Sequence, residues 1–139
     1  MRNQVLANIR ARFQSYDELA RQVSEQLLEA NLDVAKNKTI AEHLWCVVGA
    51  RESYARALSA GAWSGFACSL EDQRRASFID ALGSSADAFE RIASQIVDWS
   101  AAREKLLVDL LEHETMHEGQ LIRHMYALGQ RLPESWKWA

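Results

Sequence analysis

Apolar side chains recur in alternating steps of three and four along almost the whole chain, and a single proline, Pro133, and six glycines are all that could interrupt them. An α-helix imposes this period, because 3.6 residues per turn return a side chain to the same face at i+3, i+4 and i+7. So few turn-forming residues, with no strand candidates between them, point away from a turn-rich β fold.

In the first segment Leu6, Ile9, Phe13, Tyr16, Ala20, Val23 and Leu27 form one stripe, which predicts a single helix from about Asn3 to Ala30. Ser15 to Glu18 has the form of a capping box, but the stripe keeps its phase across it. Asn31 to Lys38 is a polar connection. Thr39-Ile40-Ala41-Glu42 is a second capping box and predicts a helix from Ile40 to about Ala60, with Ile40, His43, Val47, Ala50 or Arg51, Tyr54 and Leu58 inward. Gly61 to Ser69 reads as a loop folded over one end of the molecule, carrying Trp63 and Phe66. A third helix from Leu70 or Glu71 has Phe78, Leu82, Ala86, Phe89, Ala93 and Ile96 as its stripe, and Gly83 weakens its middle by about 1 kcal/mol, a place for a close approach or a kink. Ser100 caps a fourth helix that ends near Gly129, with Leu106, Leu110, His113, His117, Leu121, His124 and Leu128 along its seam. Four amphipathic helices with short connections predict an all-α four-helix bundle, one domain over residues 1–139. In the non-helical tail, Trp136 and Trp138 are expected to dock onto the bundle or a partner.

Composition narrows the function classes. A formal net charge of −3, with 25% charged residues and no Lys/Arg run, offers no general attraction to nucleic acid. Two cysteines, Cys46 and Cys68, are too few for a disulfide framework and fit a reduced cytosolic setting. No stretch approaches the roughly 20 apolar residues of a membrane span, and the N-terminus lacks the apolar run of a secretory signal. Arg2, Arg10 and Arg12 precede the first acid, Asp17, as in a transit peptide, yet the apolar stripe runs unbroken through them. The expectation is a soluble, cytoplasmic protein without nucleic-acid or membrane partners. At this length a core forms without metal staples, so a bound metal would serve function rather than folding.

The histidines carry the chemistry. His113 and His117 stand four residues apart, one above the other on a helix face, and His43 lies on the inward stripe of another helix. Three buried imidazoles without a common partner would carry three desolvation costs, which one metal ion removes. Three nitrogen ligands leave coordination positions open, as in a reactive site, and suit zinc, nickel, copper or iron rather than magnesium or calcium. His113-Glu114-Thr115-Met116-His117 also spells H-E-x-x-H, the metalloprotease signature. The extended form needs glycine at 120 and histidine at 123, where this chain has Gln120 and Arg123, and the only acid beyond Glu118 is Glu134. Glu114 is therefore read as a bystander, about 100° round the helix from His113. His124 lies about 10 Å along the axis from His117, too far to share its metal, and reads as a satisfied seam or interface residue. Cys46, one turn after His43, and Gln120, one turn after His117, are weak pocket candidates, as is Tyr16.

Taken together, Ala41-Glu42-His43-Leu44-Trp45, His113-x-x-x-His117-x-Gly119-Gln120 and the closing Tyr126-Ala127-Leu128-Gly129 and Pro133-Glu134-Ser135-Trp136-Lys137 resemble the DinB-like superfamily of metal-binding four-helix bundles. The resemblance spans the chain in length and helix order. It implies an up-down-down-up bundle, a divalent metal, often nickel or zinc, held by His43, His113 and His117, and a homodimer. Its best understood members are thiol-dependent transferases and isomerases, in which the metal activates a small-molecule thiol; others are described as metal-dependent hydrolases. The expected function is thus a metal-dependent enzyme acting on a small-molecule substrate, with a low-molecular-weight thiol or water activated at an open tri-histidine site. The competing expectation is a non-catalytic helical stress-response or interaction module whose histidines are structural.

Overall fold

A computed structural model describes residues 1–136, and Trp138 of the predicted docking tail lies outside them. The described residues form five helices and no strand: α1 (Arg2–Gln22), α2 (Glu25–Glu29), α3 (Ile40–Ala60), α4 (Arg75–Gln95) and α5 (Ala101–Ala127). Helices α3 and α5 follow the predicted bounds closely, because their caps are legible. Thr39 and Glu42 make the reciprocal capping box of α3, and the Ser100 side chain accepts from the Arg103 amide at the start of α5. At the far end of α5, Gly129 has φ +66°; its amide donates to the Tyr126 carbonyl and that of Gln130 to Met125, the paired bonds of a Schellman stop.

The first predicted helix is divided. Val23 is extended and Ser24 caps a separate short helix, accepting from the Leu27 amide at 3.1 Å. The stripe changes phase at that break: Leu28 is buried and Leu27 only half-buried. The capping box at Ser15 is not used, since Ser15 donates to the Ala11 carbonyl inside α1. Helix α4 begins at Arg75 rather than at residue 70 or 71, because Asp72 accepts from the Arg74 amide and turns the chain there. Gly83 lies inside the continuous run of α4 and marks no close approach: a Cβ there would meet nothing within 4 Å.

Helix α1 packs on α4 and α5, and α3 packs on α4 and α5, so each pair flanks the other. The apolar contacts form two clusters. One gathers Tyr16, Leu19, Leu44, Val47, Phe78, Leu82, Leu121 and Met125, and the other Ile9, Phe13, Leu58, Phe89, Leu107 and Leu110. Between them lies a charged layer: Arg51 binds Glu114, and Arg12 binds Glu118, with all four side chains buried. The N-terminal arginines are engaged within the fold: Arg2 pairs with Glu104, Arg10 with Glu90 and Arg12 with Glu118. Trp136 docks as expected, its indole donating to the Ser15 carbonyl at 2.9 Å and its ring packed edge-on against Tyr16. No helix among the described residues is long and apolar enough to cross a membrane.

The long loop from Gly61 to Arg74 lies against α3 rather than over an end. Its anchor is Gly49, where a Cβ would stand 2.3 Å from the Phe66 ring and 2.9 Å from the Cys68 Cβ. Gly49→Ala is expected to push this segment off the helix and to cost about 1–3 kcal/mol by overpacking. Urea unfolding followed by circular dichroism, together with the fluorescence of Trp63 and Trp45, measures both effects.

Candidate metal centre

Local sequence places the three histidines before any long-range contact does. The Thr39 hydroxyl accepts from the Glu42 amide at 3.1 Å, and the Glu42 carboxylate accepts from the Thr39 amide at 2.7 Å. This box starts α3 at Ile40 and so sets His43 in its first turn, beside the polar connection. On α5 the four-residue spacing stacks His113 and His117, with ring centroids 4.5 Å apart.

Tertiary packing brings the two helices together at this point. The His43 Nδ1 and His117 Nδ1 atoms, 74 residues apart in sequence, approach to 2.8 Å, so one ring donates and the other accepts. The Nδ1 of His113 is buried without a hydrogen-bond partner. Among the described residues, no group of three or more His, Cys, Asp or Glu side chains already has its donors arranged to hold a metal ion. The three rings nevertheless line one cavity of about 870 Å³, together with Cys46, Gln120 and His124.

Burial sets the charge state of these rings. Desolvation first, with neighbouring Lys38 second, lowers His43 to about 4; desolvation and the adjoining His113 and His43 lower His117 to about 3; His113 is lowered by the same burial. The three imidazoles are neutral at pH 7, the form that ligates metals. The unfolded chain protonates its histidines near pH 6.5, whereas the folded chain protonates His43 only near 4 and His117 only near 3, with His113 shifted in the same direction, so the unfolded state binds more protons in between. Stability of the metal-free protein is therefore complete above pH 6.5 and falls as pH drops toward 4, by about 1.4 kcal/mol per pH unit for each excess proton. Urea midpoints of chelator-treated protein from pH 7.5 to 4 check this. A midpoint independent of pH would mean that the rings are solvated.

Other candidates separate cleanly. Cys46 lines the cavity and its Sγ accepts from Lys38 Nζ at 3.2 Å; Gln120 lines it from α5. Tyr16 does not reach the cavity: it is fully buried, and its hydroxyl donates to the Glu114 carbonyl at 2.6 Å. His124 is half satisfied, with Nε2 at 3.1 Å from the Ala30 carbonyl and Nδ1 unpartnered. Glu114 is no bystander. Both of its oxygens bind the Arg51 guanidinium, at 2.6 and 2.9 Å, which also lies 4.2 Å over the Phe13 ring. Fully buried in that pair, it is not placed to act as a general base for a molecule in the cavity.

Much of the remaining wall, including Lys36, Lys38, Trp45, Phe66, Met116 and Arg123, was not read from the sequence as part of a site. Met116, Gln120 and Arg123 continue the face of His113 and His117 at helical spacing, a signal the apolar stripe obscures. The loop residues gave no periodic signal. In comparisons with known proteins, the chain matches no family model and no curated protein.

Proposed function

We propose that this chain is a DinB-like, divalent-metal-binding protein in which His43, His113 and His117 hold one transition metal ion, zinc or nickel before iron or copper, at the floor of the cavity. The observation that carries the reading is the meeting of two neutral Nδ1 donors at 2.8 Å beside a third, buried and unpartnered. An orphaned buried nitrogen costs about 1–3 kcal/mol, which a ligated ion removes. The proposed bundle is up-down-down-up. In its support, Arg2 meets Glu104 and Arg12 meets Glu118, as in parallel α1 and α5, while His43 meets His117 and Leu58 meets Arg103, as in antiparallel α3 and α5. Arg10 with Glu90 and Arg75 with the Arg21 carbonyl fit antiparallel α1 and α4.

A bound transition metal supplies Lewis acidity, which lowers the pKa of a thiol or water near neutral pH. The chain's own residues define the space in which a thiol transferase, isomerase or hydrolase would work. Gln120 presents an amide that donates and accepts at the cavity wall, and the Lys38 ammonium lies beside the Cys46 sulfur. The Arg51–Glu114 and Arg12–Glu118 pairs lock α5 in register behind the histidines. The second reading, a non-catalytic interaction module with structural histidines, draws on Trp63 and Phe66, which are 47% and 45% exposed and offer an apolar surface to a second copy of the chain. Metal analysis by mass spectrometry, on protein made without a histidine tag, is expected to find about one transition metal per chain. Metal-free protein that also fails to take up zinc or nickel overturns the proposal.

A further inference from the structure

We infer that the cavity over the three histidines is built for a small organic oxyanion, bound through Lys36, Lys38 and Arg123 with its apolar body against Trp45, Phe66 and Met116. This names a substrate class for the proposed metal centre and rests on that reading for its catalytic meaning. None of the residues lining the cavity is Asp or Glu, although acids outnumber Lys and Arg by 19 to 16 in the whole chain. The three cations on this wall are also left without an acid. Lys36, Lys38 and Arg123 have no carboxylate partner among the described residues, as is also true of Arg56, Arg91 and Arg131, but only the first three share one cavity. A cleft lined by one sign of charge over low-dielectric walls concentrates the opposite ion.

Backbone conformation points the same way. Lys36 has φ +59°, the only non-glycine residue with positive φ among those described, in a turn that would accept glycine without strain. The turn is held from within by Asn31, whose side-chain oxygen accepts from the Leu32 amide and the Asn37 side chain. This turn sets the Lys36 cation at the cavity wall. Lining the same cavity as these cations are the apolar groups Trp45, Phe66 and Met116, which a bare inorganic anion would leave unmatched. Trp45 and Phe66 pack on each other at 5.3 Å, and Met116 is half exposed on α5.

The test titrates benzoate, phenyl phosphate and neutral benzamide into the full chain at low salt, followed by NMR chemical shifts, as purified and again after chelation of metal. The expected result is saturable binding of benzoate or phenyl phosphate, with benzamide at least tenfold weaker. The preferred head group distinguishes a carboxylate from a phosphate ligand. The triple variant Lys36→Gln, Lys38→Gln and Arg123→Gln, with all three positions exposed so that the fold is kept, is expected to weaken binding at least tenfold. Equal binding of benzamide, an unaffected triple variant or no binding at all overturns the inference. Binding that disappears on chelation and ignores the triple variant also overturns it, while leaving the metal centre intact. Anion binding in a protein that takes up no metal has the reverse meaning: the oxyanion site stands and the metal reading falls.

Discussion

Glu114→Ala is expected to lower stability by about 3–5 kcal/mol, the range for breaking a buried ion pair by removing one partner. The Arg51 guanidinium would remain fully buried without its carboxylate, beside the Leu82 carbonyl at 3.3 Å and the faces of Phe13 and Tyr16. Against a typical total of about 5–15 kcal/mol, such a loss leaves the protein marginal. The charged partner, rather than the lost contact, dominates this cost. The double variant Arg51→Met with Glu114→Leu is therefore expected to recover most of the stability, because it removes both charges and refills the space with apolar side chains. Urea midpoints of the single and double variants decide the matter. A Glu114→Ala shift below about 1 kcal/mol would mean that water reaches the guanidinium.

His117→Ala is expected to abolish tight metal binding, weakening it by more than about 100-fold, since even outer partners of metal ligands contribute 10- to 100-fold. The fold should persist, because His117 borders an open cavity and both apolar clusters stay whole. In metal-free protein the midpoint should move by about 1 kcal/mol or less: the His43 hydrogen bond is lost, but a desolvated ring goes with it. The acid-side loss of stability should also become shallower, since one of the lowered groups is gone. Metal titration monitored by calorimetry, with circular dichroism on the same samples, separates the two functional readings. A change in oligomeric state or stability with no effect on metal would favour the interaction module.

Periodicity carried the helices because helix formation is local. The Thr39 and Ser100 caps, the stop at Gly129 and the stripe from Leu6 to Ala20 depend on residues within a few positions of one another. The same local logic went wrong where two local structures compete. Ser24 won over a continuous helix, and the Asp72 turn delayed α4, choices that tertiary packing of Leu28 and Phe78 rewards.

The candidate site divides along the same line. Sequence by itself determined that His113 and His117 share a helix face and that His43 opens another helix, since both follow from 3.6 residues per turn and a capping box. Only the tertiary structure decided that these helices meet at His43 and His117, that Glu114 turns inward to Arg51, and that Tyr16 spends its hydroxyl on the Glu114 backbone. It also decided that a loop without periodicity brings Lys36 and Lys38 to the rim of the histidine cavity. Those outcomes depend on how two faces interlock across 60 to 100 residues of chain, through side-chain packing and buried charge, and no local pattern encodes that fit.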